Sequence, residues 1–62
     1  MSPADLAEIS RYAELMHQRF GQFIDNALSI ANVPLFYATN EDIIEWCRTY
    51  YNAWQAYQNT VV

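Results

Sequence analysis

Two interleaved heptad series run through the first half of this chain, and no other feature restricts its fold as tightly. Leu6, Ala13, Phe20 and Ala27 form one series; Ile9, Met16, Phe23 and Ile30 form the other. Seven-residue spacing in two registers three apart is the mark of a helix that buries a narrow apolar stripe along its whole length. The start is well signalled. Ser2 is a good N-cap, Pro3 suits the first helical position, and Asp5 stands where a capping box needs a carboxylate. The stop is signalled by Asn32-Val33-Pro34, because the residue before a proline is pushed out of the α region. The pattern therefore predicts one helix over residues 3–31. Gly21 lies off the stripe and reads as a tolerated surface glycine, at a cost of about 1 kcal/mol relative to alanine.

A second helix is predicted over residues 40–58. Thr39 or Asn40 caps it, with Glu41 and Asp42 in its first turn complementing the helix dipole. Ile43, Ile44, Trp46, Cys47, Tyr50, Tyr51, Ala53, Trp54 and Tyr57 fall within an arc of about 180° on a helical wheel. Glu41, Glu45, Arg48, Thr49, Asn52 and Gln55 occupy the other half. Between the helices, residues 32–39 include Leu35-Phe36-Tyr37-Ala38, an apolar connector. Loops normally run over the surface, so this one is expected to fold back as a lid on the end of the bundle. Asn59 to Val62 are expected to fray.

These elements predict an all-α chain, an antiparallel helical hairpin of two helices forming a single domain. The aromatic arc is wider than one partner helix can cover. A chain of 62 residues supplies only a small core, and its single cysteine, Cys47, rules out an internal disulfide. The expectation is a homodimer forming a four-helix bundle, like the short dimeric hairpins it resembles in size and pattern. Leu6, Ile9, Met16, Phe20, Phe23, Ile30, Ile43, Cys47, Tyr50 and Trp54 are the expected core and self-interface.

Charge excludes some functions. The net charge is −4, there is no lysine, and Arg11, Arg19 and Arg48 are the only cations besides the single histidine. Direct nucleic-acid binding requires several phosphate-neutralising side chains on one face. The uncharged run from Asn26 to Asn40 contains Pro34 and falls short of the roughly 20 residues a membrane span requires. The N-terminus lacks a basic region followed by an apolar one, so the reading is soluble and cytoplasmic, with no membrane partner.

No motif points to catalysis or to a cofactor. Glu14-Leu15-Met16-His17 has the Glu-x-x-His spacing of di-iron bundles, but the further inward-facing carboxylates are missing and no metal is expected. Cys47 sits near the centre of the apolar arc, where a thiol behaves as a small hydrophobe. One glycine cannot build a phosphate loop. The expected function is a non-enzymatic, acidic protein-binding module, an adaptor or inhibitor of a larger protein, like the small helical regulators of phages and mobile elements. Two rivals are an assembly subunit that mainly self-associates, and an acidic decoy that competes with nucleic acid. Candidate partner contacts are the row Tyr12, Leu15 and Arg19 on the first helix, with Trp46, Tyr51 and Tyr57 at the edges of the arc. These types, above all Trp, Tyr and Arg, are common in binding hot spots.

Overall fold

Ser2 caps the first helix as its sequence requires. Its hydroxyl accepts the Asp5 N–H at 3.2 Å, and its own N–H donates to the Asp5 carboxylate at 3.3 Å. In the computed structural model, which describes residues 1–60, three α-helices follow: α1 (Pro3–Leu15), α2 (Phe20–Ala31) and α3 (Asn40–Thr60). A single 3-10 turn, Leu35–Tyr37, lies between α2 and α3, and there is no strand among the described residues. A reciprocal capping box starts α3: Thr39 Oγ1 accepts the Asp42 N–H, and the Thr39 N–H donates to Asp42.

The expected two-helix hairpin is therefore incorrect. The helix predicted over residues 3–31 is broken at Met16–Arg19. His17 takes a left-handed conformation, φ 58°. Its N–H donates to the Glu14 carbonyl at 3.0 Å, and the Gln18 N–H reaches back to Ala13 at 2.9 Å. This is the paired hydrogen-bond pattern of a Schellman turn. Asn32, φ 57°, ends α2 the same way, with its N–H on Ser29 and the Val33 N–H on Leu28. Neither stop uses glycine. A left-handed non-glycine residue costs about 1–2 kcal/mol, whereas burying one large aliphatic or aromatic side chain returns about 1.5–3 kcal/mol. The break lets α2 turn inward and bury several such side chains, so burial outweighs the local strain.

The core draws on all three helices: Ile9 and Ala13 from α1, Phe23, Ile24, Ala27 and Leu28 from α2, and Ile43 and Cys47 from α3. Phe23, Ile9 and Cys47 are the largest side chains fully removed from solvent. This core is buried within one copy of the chain, while Leu6, Leu15, Phe20 and Ile30 remain exposed on it; with three helices in place of two, the expected pairing of hairpins into a four-helix bundle is unsupported. Ile24 and Leu28 are buried although they lie outside both heptad series. Leu6, Phe20 and Ile30 belong to those series, yet all three are exposed. The physical reason is rotation. A continuous helix in a hairpin buries a narrow stripe, whereas the separate α2 presents the broader face 23, 24, 27 and 28 to two neighbours.

Glu8 pairs with Arg48 and Tyr12 with Tyr51, so α1 and α3 run in the same direction. α2 makes its larger contact with α3. At 21 residues α3 far exceeds α1 (13) and α2 (12). With a rise of about 1.5 Å per residue, its C-terminal turns extend past the others. From Asn52 to Thr60 every residue except Trp54 is exposed. Val61 and Val62, part of the segment expected to fray, lie outside the described residues, while Asn59 and Thr60 belong to α3.

Candidate functional site

Glu8 is the polar centre of the α1–α3 contact. Arg48 grips its carboxylate with two donors, Nε at 2.6 Å and Nη2 at 2.8 Å, and the Tyr12 hydroxyl donates to it at 2.7 Å. Three donors on one carboxylate favour its charged form. The Arg48 hydrogen bonds, then that of Tyr12, hold Glu8 down from its ordinary 4.5 to about 2. The same hydrogen bond from Tyr12 to Glu8 raises the tyrosine pKa, with burial adding to the rise. The Tyr12 ring stacks on Tyr51, with centroids 4.2 Å apart and planes 12° apart, and Tyr51 leans on Trp54 at 5.9 Å.

A second polar group joins the α1–α2 turn to both later helices. Gln18 donates to the Tyr50 hydroxyl at 3.0 Å and accepts from the Asn26 amide at 3.1 Å. Phe23 packs on the Tyr50 ring at 5.3 Å. Gln18 follows the left-handed His17, so this network secures the turn that breaks the predicted long helix.

Two open grooves flank the Glu8–Arg48 pair. One, about 450 Å³, has Ile44 and Arg48 in its lining with the carboxylates of Asp5, Glu41 and Glu45. The other, about 410 Å³, is bordered by Ala4, Ala7, Arg11 and Leu15 with Tyr12 and Tyr51. Arg48 lines the first and Glu8 the second, so their ion pair forms the ridge between the two.

The end of the molecule where α2 passes into α3 has a different character. Phe36 is 90% exposed and Tyr37 76% exposed, and their rings meet edge to face at 5.2 Å and 84°. Ile30, in the last turn of α2, is 65% exposed. The lid expected from the apolar connector is not formed by these two rings, which project outward; among the connector residues with described side chains, Ala38 and Val33 pack on the core. Carboxylates gather at the same end, since α1 and α3 both begin there. Asp5, Glu41 and Glu45 share a groove, and Asp42 lies in the first turn of α3.

The expected partner residues disperse. Tyr12, Leu15 and Arg19 do not form a helical row, because Arg19 lies beyond the break as the N-cap residue of α2. Tyr12 is not free, being half-buried against Glu8 and Tyr51. Tyr12, Leu15 and Tyr51 do meet at one groove. Trp46 packs on the core, while Tyr57 stands exposed on the projecting part of α3. Of the expected core residues, Met16 and Tyr50 are half-buried and pack on the core, and Trp54 is half-buried outside that cluster. Glu8, Arg48, Gln18 and Asn26 carry the polar contacts between helices. Sequence reasoning missed all four: Glu8 and Arg48 lie 40 residues apart and Gln18 and Tyr50 lie 32 apart, while the shorter Gln18–Asn26 contact depends on the unforeseen turn.

Glu14 and His17 do not share a helical face, because the turn separates them. Among the described residues no three metal-ligating side chains come together. Cys47 is fully buried, and burial pushes its thiol up to about 11, which keeps it protonated and poorly nucleophilic near neutrality. No helix among the described residues is long and apolar enough to cross a membrane. No protein-family model, curated protein or solved structure matches the chain.

Proposed function

We propose that this chain is a non-enzymatic protein-binding module, an adaptor or inhibitor that acts by occupying a surface of a larger protein. The supporting observation is the exposed pair Phe36 and Tyr37. Eight residues already close the core, so these rings are not needed to complete it. Large aromatic side chains held out from a small domain offer apolar area that another protein can bury. On this reading the binding surface lies at the connector end, rather than on the row of Tyr12, Leu15 and Arg19, whose tyrosine packs on Glu8 and Tyr51.

The test is affinity capture from native host extract, comparing the wild-type chain with the double variant Phe36→Ala, Tyr37→Ala. One stoichiometric partner that is lost with the variant is the expected result. Recovery of the chain alone would favour the assembly subunit. A partner released by added DNA or RNA would favour the acidic decoy.

A further inference from the structure

We infer that the connector end docks a cationic, apolar segment of another protein, whose Lys or Arg side chains meet both the exposed rings of Phe36 and Tyr37 and the carboxylates at the start of α3. This deepens, and rests on, the protein-binding reading. Two independent features select the same ligand chemistry. Exposed aromatic faces attract Lys and Arg through the ring quadrupole, and the edge-to-face arrangement of Phe36 and Tyr37 leaves much of both rings open. Carboxylates select the same side chains by charge. Asp5, Glu41 and Glu45 converge on one groove, and Glu41 follows Tyr37 by a single helical turn's worth of chain.

Arg48 lines the same groove, but its charge is matched by Glu8 through two hydrogen bonds, which leaves the three groove carboxylates in excess; Arg11 and Arg19 lie toward the α1–α2 turn. Charge complementarity also decides between occupants. A second copy docked through the same end would set these carboxylates against their own kind. An anionic lipid surface or a nucleic acid would meet the same repulsion. A basic segment carrying leucine or aromatic side chains satisfies both the rings and the charges.

The test does not depend on the identity of the natural partner. A phage-displayed library of random peptides is selected on the purified full chain, and recovered peptides are synthesised and titrated. The expected peptides combine Lys or Arg with aliphatic or aromatic residues. They weaken as salt rises, and they lose at least about tenfold in affinity against Phe36→Ala, Tyr37→Ala and against Glu41→Gln, Glu45→Gln. Circular dichroism should show both variants folded, since all four side chains are exposed. Peptides without basic residues, or ones that bind the aromatic variant equally well, overturn the inference and leave the protein-binding reading in place. A selection that yields no binder counts against both.

Discussion

His17 decides the path of the chain, although its side chain is exposed. Its left-handed backbone, φ 58°, lets the chain leave α1 and start α2. Glycine adopts this conformation without steric cost, so His17→Gly should stabilise the protein by about 1 kcal/mol. In an uninterrupted helix over residues 3–31 the same change would cost about 1 kcal/mol. The sign of the change in a denaturant melt therefore distinguishes the two folds. Glu8 supports a second prediction at this scale. Its folded pKa of about 2 lies below its ordinary 4.5. A depressed carboxylate contributes stability that is fully present above the unfolded value and is lost as pH falls through the folded one. The thermal midpoint should decline between pH 4.5 and pH 2. Arg48→Gln should lower stability at neutral pH and flatten this decline; an unchanged slope would show that the ion pair is not its source.

At the scale of elements, α3 serves two purposes along its length. Its first half buries Ile43 and Cys47, whereas its last turns project beyond the other helices. The two tryptophans fall on either side of this division. Trp46 packs on the core, and Trp54 meets Tyr51 outside that cluster. Trp46→Ala should therefore cost about 2 kcal/mol and Trp54→Ala about 1 kcal/mol or less, from the apolar area each conceals. Position in the helical wheel argues the opposite order, because Trp54 lies near the middle of the aromatic arc. Parallel thermal melts of the two variants settle the ranking. α1 depends on α3 through Glu8, Arg48 and the Tyr12–Tyr51 stack, and on α2 through the turn secured by Gln18. Its attachment is thus more polar than that of α2, which supplies half of the buried core residues.

For the whole molecule, Phe23, Ile9 and Cys47 are enclosed by one copy of the chain, and a core closed in this way predicts folding that is independent of concentration. The melting midpoint should stay constant as protein concentration is varied across the micromolar range; a midpoint that rises with concentration would mean that association contributes to stability. Several features were legible in the sequence because they are local. The helical class follows from periodicity, and the capping box at Ser2 and a cap at Thr39 or Asn40 follow from residue type and spacing. The stop before Pro34 follows from the steric demand of the proline ring. The break at His17 was not legible, since the heptads continue through it and it contains neither glycine nor proline. Only the burial of Ile24 and Leu28 against two other helices makes that turn favourable. The polar contacts of Glu8 with Arg48 and of Gln18 with Tyr50 join residues 40 and 32 positions apart, and short-range spacing carries no trace of them. The apolar connector was visible in the sequence, but its direction was not. Whether Phe36 and Tyr37 cover the bundle or leave it depends on how much space the core leaves at that end. Both rings face solvent. Local chemistry thus determined where helices begin and which residue types they carry, while the competition for a single shared core decided how many helices form and which side chains remain outside.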